Sequence, residues 1–142
     1  MPIRTADAVW EGTLREGKGS MRFGGGAFDG QYSFSSRFEE GSGTNPEELI
    51  AAAEAGCFSM ALSGALERAG NPPTKIETTA KVHLERAEVG FHIPSIELVT
   101  TATVPGIDEA EFQRIAHETK ATCPVSKVLA AAEITLEAKL AG

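Results

Sequence analysis

The segment from Asn45 to Gly70 predicts a single helix that is too long and too apolar to stand uncovered. Asn45 is a good N-cap, Pro46 suits the first helical position, and Glu48 completes a capping box three residues after the cap. The helical pattern ends at a Gly-Asn-Pro-Pro sequence, so the helix has roughly 24 residues and a length of about 36 Å. A helix of this kind needs cover on nearly all sides, which indicates a partner subunit.

The apolar part of this helix, residues 49–66, also reaches the lower length limit of a membrane span. Its only charge is Glu54, and Ala, Gly and Ser make up most of it. Glu47 and Glu48 precede it, where basic anchors would favour insertion. We therefore interpret it as a buried core helix and expect no membrane partner.

Alternation of apolar and polar residues predicts strands in the rest of the chain. They lie near Trp10, at Ser20–Phe23, from Tyr32 to Phe38, at Ile76–Glu85, at Ile93–Val104 and at Ile134–Leu140. A chain of 142 residues is of ordinary size for one domain, so we expect a single domain over residues 1–142.

A second helix is predicted after Pro105-Gly106. Asp108 and Glu111 have the spacing of a capping box. Ile107 and Phe112 have the spacing of a hydrophobic staple. Pro124 prevents the helix from continuing and suits the start of a short new helix. Cys123 is therefore expected at or beside the N-cap of that short helix.

The charge pattern excludes some partners. The net charge is −7, from 20 acidic and 13 basic residues, and the basic residues are scattered. Nucleic-acid surfaces need clustered Lys and Arg, so no nucleic-acid partner is expected. The first residues, Met1 to Asp7, lack the basic start and apolar stretch of a secretory signal. A cytoplasmic location is expected, where a permanent structural disulfide is disfavoured.

The two cysteines each have an inert and a reactive interpretation. Cys57 lies in the middle of the long helix among small residues, and free cysteines are often simply buried. Cys123 lies at a helix N-terminus, where unpaired N–H groups stabilise a thiolate, although a cysteine can also just precede a helix boundary. From the residues alone they can be a redox pair, two buried thiols or half of a metal site.

A metal site is the weakest of these alternatives. The chain has no CxxC, and His83, His92 and His117 show no paired ligand spacing, so each is expected to be an ordinary surface residue and no metal or cofactor is expected. A reactive thiolate needs a cation close by. Arg37, Arg68 and the lysines are candidates, and spacing selects none of them.

Two motifs resemble the signatures of the OsmC/Ohr family of thiol-dependent peroxidases. The first is SRFEEGSGTNPEEL at residues 36–49, followed by AEAGCFSMAL at residues 53–62, and the second is KATCPVSKVL at residues 120–129. Their order and separation fit the family across nearly the whole chain, and the first motif is more similar to the OsmC branch than to the Ohr branch.

This resemblance implies roles for four residues. Cys57 would be the nucleophile that attacks the peroxide and becomes a sulfenic acid. Cys123 would then condense with it to form a disulfide. Arg37 would stabilise the thiolate of Cys57 and the negative charge that develops on the leaving oxygen of the peroxide. Glu47 would hold the guanidinium of Arg37 in place.

Two further arginines and one acidic residue also bear on the family pattern. Arg15 and Arg22 are weaker candidates for the role assigned to Arg37. Glu54 departs from the pattern, because relatives often carry histidine or an aromatic residue there. This departure leaves both cysteines in place but would alter either the peroxide preference or the polarity beside Cys57.

The resemblance also implies a fold, substrates and partners. The fold would be α+β, with antiparallel sheets wrapped around two long central helices in an intertwined homodimer. Organic hydroperoxides and hydrogen peroxide would be the substrates, in defence against oxidative or osmotic stress. A dithiol reductant, such as a lipoyl-bearing protein, would reopen the disulfide.

Two other classes of protein remain as alternatives. One is a carrier that holds a small hydrophobic ligand in the same apolar pocket and whose thiols are incidental. The other is a structural stress protein whose dimer stabilises an assembly.

Overall fold

The computed structural model describes residues 1–141, which form an α+β fold with two three-stranded sheets and four α-helices. The strands are β1 (Ala6–Glu11), β2 (Lys18–Phe23), β3 (Phe28–Tyr32), β4 (Lys75–Arg86), β5 (Phe91–Thr103) and β6 (Glu133–Leu140). The helices are α1 (Phe34–Phe38), α2 (Pro46–Arg68), α3 (Glu109–Thr122) and α4 (Pro124–Val128), and a 3₁₀ turn covers Gly24–Gly26.

The contacts group the chain into two compact units. The N-terminal unit is Met1–Leu49, and the C-terminal unit begins at Ile50, so that the boundary falls inside α2. The N-terminal unit contains an antiparallel sheet in the order β1-β2-β3. The single domain expected over residues 1–142 stays a prediction.

The strand predicted from Tyr32 to Phe38 is wrong after its first residue. β3 ends at Tyr32, and the next residues form the short helix α1. The Ser33 hydroxyl accepts the backbone N–H of Ser36 at 3.1 Å, and the Ser36 hydroxyl accepts that of Ser33 at 2.8 Å. This reciprocal capping box starts a helix where the alternation of aromatic and polar residues indicated a strand.

Helix α2 begins as predicted. The backbone N–H of Glu48 donates to Asn45 Oδ1 at 2.8 Å, which confirms the N-cap. The helix has 23 residues and ends at Arg68. Gly70 then adopts a φ of +87°, and the N–H of Asn71 donates to the Leu66 carbonyl at 2.9 Å, as in a Schellman-type end.

The sheet of the C-terminal unit is mixed. β4 pairs antiparallel with β5, but β5 pairs parallel with β6. The expectation of purely antiparallel sheets is therefore wrong for β6. The chain passes through α3 and α4 between β5 and β6, and a helical crossover of this kind is what allows two neighbouring strands to run parallel.

One hydrophobic core fills the C-terminal unit. Its buried members come from α2, from β5 and the residue that follows it, and from α3: Phe58, Leu62, Leu66, Leu98, Ala102, Val104, Phe112, Ile115 and Ala116. The Asp108 carboxylate caps α3, as predicted, by accepting the N–H of Glu111 at 2.9 Å. Ile107 packs against the core.

Helix α2 is exposed along one side. Among the described residues it is the one helix long and apolar enough to cross a membrane by length and composition, yet only 22% of its apolar window is buried within the chain. Phe58, Leu62 and Leu66 lie in the core. Between Ile50 and Leu66, the residues that remain exposed form what we call the outer face of α2: Ala52, Ala53, Gly56 and Met60.

Candidate active site

Two thiols meet in the C-terminal unit. Cys57 is half-buried on α2, and Cys123 is buried at the break between α3 and α4. Both are free, and Cys123 Sγ donates to Cys57 Sγ at 2.9 Å. The sulfurs are therefore about 0.9 Å further apart than in a disulfide. Cys123 is the N-cap residue of α4 and Pro124 its first helical residue, which confirms the prediction for that junction.

The surroundings of Cys57 act on its ionisation. Burial raises the pKa of the Cys57 thiol above its ordinary value, and the hydrogen bond with Cys123 raises it further. A backbone hydrogen bond from Val125, in the first turn of α4, lowers the pKa. Negative charge on Cys123 or Glu54 raises it. The backbone donor at the start of α4 thus acts on Cys57.

A carboxyl group lies against the two thiols. Glu54 is fully buried, and its Oε1 accepts the Ser126 hydroxyl at 2.6 Å. The same oxygen is the acceptor for Cys123 Sγ at 3.8 Å. The other oxygen, Oε2, is buried and has no hydrogen-bond partner among the described residues. An unsatisfied buried carboxyl oxygen is costly and rare in folded proteins.

The spacing of the sequence explains how these four side chains come together. Glu54 and Cys57 are one helical turn apart on α2, so they share a face. Cys123 and Ser126 have the same three-residue spacing, from the N-cap of α4 into its first turn. Sequence reasoning noted Glu54 only as a departure and missed Ser126. The matching spacing in the two motifs is the signal that could have identified it.

The N-terminal unit contains the other two predicted site residues as an ion pair. Arg37 Nε donates to Glu47 Oε1 at 2.9 Å, and Arg37 Nη2 donates to Glu47 Oε2 at 3.0 Å. The Glu47 side chain is 11% exposed and that of Arg37 35%. Two parallel bonds of this kind fix the plane of a guanidinium as well as its position.

Hydrogen bonds of the loop between α1 and α2 keep the two residues of this ion pair close together. The Ser36 hydroxyl donates to the Thr44 carbonyl at 2.7 Å, and Asn45 Nδ2 donates to the Ser36 carbonyl at 3.0 Å. Gly43 has a φ of +113°, and a Cβ there would lie 2.6 Å from the Gln31 carbonyl oxygen. Only glycine fits this turn, which brings the end of α1 against the start of α2.

The weaker arginine candidates have other partners in the same unit. Arg15 lies over the Phe34 ring, 4.6 Å from its centroid, and Arg22 pairs with Asp29 at 3.3 Å on the surface. A cavity of about 240 Å³ opens beside the ion pair of the N-terminal unit. It is lined by Trp10, Leu14, Tyr32, Ser33, Phe34, Arg37 and Phe38.

The predicted site residues thus fall into two pairs, one in each unit. Cys57 meets Cys123 and Arg37 meets Glu47. Within residues 1–141 no three His, Cys, Asp or Glu side chains are grouped to hold a metal ion.

Two free thiols in hydrogen-bond contact on an α+β fold are typical of thiol-based redox proteins. The sequence profile of the family described as "OsmC-like protein" matches residues 39–139. The chain belongs to this OsmC-like family.

Named relatives support this assignment. The chain is 50% identical over 138 residues, 96% of each chain, to "Peroxiredoxin OsmC" of Escherichia coli (strain K12). It is 36% identical over 87 residues, 61% of this chain and 59% of the relative, to "Organic hydroperoxide resistance protein" of Xanthomonas axonopodis pv. citri (strain 306). The crystal structure of the organic hydroperoxide resistance protein OhrB of Bacillus subtilis matches with a TM-score of 0.72 and 25% identity, covering 96% of this chain and 98% of that one.

Proposed function

We propose that the chain is a thiol-dependent peroxidase that reduces organic hydroperoxides and hydrogen peroxide through Cys57 and Cys123. The observation that carries the proposal is the 2.9 Å separation of the two sulfurs, both of them free. Its relatives named for peroxiredoxin activity and organic hydroperoxide resistance support the same reaction class.

The first step is attack of the Cys57 thiolate on the peroxide. The sulfur attacks the terminal oxygen of the hydroperoxide, so that an S–O bond forms as the O–O bond breaks. The alkoxide that leaves takes up a proton and departs as an alcohol, or as water when the substrate is hydrogen peroxide. The sulfur is oxidised to a sulfenic acid and the peroxide is reduced. Half-burial of Cys57 leaves it open to a substrate on one side.

The second step joins the two sulfurs. The Cys123 sulfur attacks the sulfenic acid of Cys57, the S–O bond breaks, and the hydroxyl leaves as water. The product is a Cys57–Cys123 disulfide. Because the sulfurs begin at 2.9 Å, a shift of about 0.9 Å suffices to reach the bonding distance.

Arg37 supplies the positive charge for the first step in this proposal. Burial raises the pKa of Cys57, so thiolate chemistry near neutral pH needs a compensating cation. The family resemblance assigns that role to Arg37, and Glu47 fixes the guanidinium through both of its oxygens. A guanidinium held in this way also stabilises negative charge on the departing oxygen.

The substrate preference proposed here is for hydroperoxides with an apolar group. The cavity beside Arg37 has walls made mostly of aromatic and aliphatic side chains. Its volume of about 240 Å³ accommodates a small hydrocarbon group while the guanidinium faces the polar end. Hydrogen peroxide lacks that group and gains nothing from the apolar walls.

The proposed assembly is an intertwined homodimer in the cytoplasm. The outer face of α2 is apolar and exposed, and only 22% of the apolar window of this helix is buried within one chain. A second copy packed on that face would bury it. A dithiol, such as the dihydrolipoyl group of a lipoyl-bearing protein, reopens the disulfide by thiol–disulfide exchange and is itself oxidised to a disulfide.

The test measures hydroperoxide consumption with dihydrolipoamide as the reductant. Cys57→Ser should abolish turnover, because it removes the nucleophile. Cys123→Ser should consume one peroxide per subunit and then stall, leaving a sulfenic acid that dimedone traps at Cys57. Retention of full activity in Cys57→Ser would eliminate the peroxidase proposal.

A further comparison separates the peroxidase from the carrier alternative. A carrier would release a hydrophobic ligand on denaturation and would keep binding it after Cys57→Ser. A peroxidase gives stoichiometric alcohol from cumene hydroperoxide and loses two thiols per subunit. Ligand release without alcohol formation would contradict the proposal.

A further inference from the structure

Glu54 is a buried acidic group that the two-cysteine scheme leaves without a task. It is fully buried, one turn from Cys57 and hydrogen-bonded to Ser126 at 2.6 Å. Its second oxygen has no partner among the described residues. Burying a carboxyl group that is only half satisfied destabilises a fold, and a well-packed apolar side chain would cost less.

The resolving step needs a proton acceptor, and the geometry limits the choice. The S–H of Cys123 has two acceptors within reach, Cys57 Sγ at 2.9 Å and Glu54 Oε1 at 3.8 Å. Once Cys57 is a sulfenic acid, its sulfur is the electrophile that a lone pair of Cys123 must approach. The proton of Cys123 then has to leave in another direction, and Glu54 Oε1 is the remaining acceptor.

We propose that Glu54 is a catalytic residue of the resolving step, the base that removes the thiol proton of Cys123 as its sulfur attacks Cys57. This rests on the peroxidase function proposed above. The S–S bond forms, the S–O bond of the sulfenic acid breaks, and the proton passes through the Glu54 carboxyl to the departing hydroxide, which leaves as water. Glu54 ends the step unchanged, and no other oxidant or reductant is needed.

Ser126 positions this base. Its hydroxyl is buried and donates to Glu54 Oε1, the oxygen that also faces Cys123. Ser126 therefore fixes the carboxylate on the side of the resolving thiol while leaving Oε2 free.

Two titratable groups interact with this carboxyl, Cys57 from α2 and Cys123 from the junction of α3 and α4. Its hydrogen-bond donor, the Ser126 hydroxyl from α4, carries no charge. Two cations, Lys120 and Lys127, line a cavity of about 380 Å³ with Ser126, and the Lys120 ammonium donates to the Ile134 carbonyl at 3.2 Å.

The experiment separates the two chemical steps in one turnover of the reduced full-length protein with cumene hydroperoxide. Quenched samples are divided between dimedone trapping, which counts sulfenic acid, and mass spectrometry, which counts disulfide. Glu54→Gln preserves the shape of the side chain and its bond from Ser126 but removes the base. Sulfenic acid should form at least as fast as in the unaltered protein, and disulfide formation should slow by about 100-fold at neutral pH.

The pH profile distinguishes a base from a structural group. In Glu54→Gln the disulfide rate should rise by about tenfold per pH unit, because hydroxide then removes the proton, whereas the unaltered protein should show a much flatter profile. Glu54→His, which keeps a base at this position, should recover part of the rate. Thr100→Val removes another fully buried polar group, one remote from the thiols in sequence and bonded to Thr78, and serves as the stability control.

Two outcomes would overturn this role for Glu54. One is a disulfide rate in Glu54→Gln equal to that of the unaltered protein throughout the neutral range. The other is an equal slowing of both steps without pH dependence, which is what a distorted core produces. Formation of neither sulfenic acid nor disulfide in the unaltered protein would instead overturn the peroxidase function itself, so the two failures are distinguishable.

Discussion

Arg37 and Glu47 form a two-pronged ion pair, with Nε–Oε1 at 2.9 Å and Nη2–Oε2 at 3.0 Å. They lie ten positions apart in sequence, on α1 and in the first turn of α2, and the loop between those helices holds them in contact. The ion pair orients the guanidinium, so a substitution of Glu47 should change the position of the Arg37 side chain and thereby the activity.

Glu47→Gln should lower kcat/KM for cumene hydroperoxide by about 100-fold, the scale expected when a catalytic group is misplaced by about 1 Å. Arg37→Lys should cost a similar factor, since an ammonium cannot make the planar two-bond contact. Arg22→Lys, on an exposed surface pair, is the matched control and should have little effect. Full activity in Glu47→Gln would show that the pair is only structural.

The ionisation of Cys57 should respond to the charge of Glu54. Burial is the largest cause of the raised pKa of Cys57, and the charge of Glu54 also raises it. Glu54→Gln should therefore lower this pKa. The thiolate is present above the pKa and lost as the pH falls through it, so the variant should react faster with iodoacetamide at any pH below the midpoint.

Alkylation should be measured in a Cys123→Ser background, because Cys57 is then the only thiol of the chain, which has two cysteines. The comparison is between that variant and the same variant with Glu54→Gln. An alkylation profile that stays in place or moves to higher pH would contradict the assigned effect of Glu54.

The apolar cavity of the N-terminal unit should decide between substrates. Leu14 lines this cavity and is 63% exposed, so Leu14→Asp should disturb the apolar wall without disturbing a core. We expect KM for cumene hydroperoxide to rise by about tenfold, while kcat/KM for hydrogen peroxide changes little. Val9→Asp, exposed at 55% and lining a different cavity, is the control. Equal losses for both peroxides would contradict the cavity as a specificity site.

The outer face of α2 should be an interface between two copies. Met60 is 80% exposed on this face, and Met60→Glu would place a charge inside the proposed contact. Sedimentation equilibrium should give a dimer for the unaltered protein and a monomer for this variant. Val89→Glu, at a position 92% exposed outside α2, should remain dimeric. A dimer in Met60→Glu would place the interface elsewhere.

The features that could be predicted from the sequence are those that depend on residues close together in the chain. The caps at Asn45 and Asp108 depend on residues three positions apart, and both are present as predicted. The same kind of signal was overlooked at Ser33 and Ser36, where alternating aromatic residues suggested a strand. Two adjacent local patterns competed there, and the capping hydrogen bonds prevailed over the alternation.

Contacts between segments that are distant in the chain could not be predicted from local sequence patterns. The parallel pairing of β5 with β6 depends on the path of the chain through α3 and α4, which no period within a strand reveals. The meeting of Cys57 and Cys123 depends on how α4 packs on α2, so only the family resemblance suggested it. The burial of Glu54 was unpredictable for the same reason, since a charge on a helix is normally solvated.

The short distance between the two sulfurs also affects the thermal stability of the protein. A bond there would tie together positions 66 residues apart and fasten α2 to the crossover between β5 and β6. Closing a loop of that length restrains the unfolded chain by roughly 4 kcal/mol in the entropic description. The oxidised form should then melt at a higher temperature than the reduced form. Peroxide, the agent that the enzyme consumes, would thereby leave it in its most robust state until a reductant restores it.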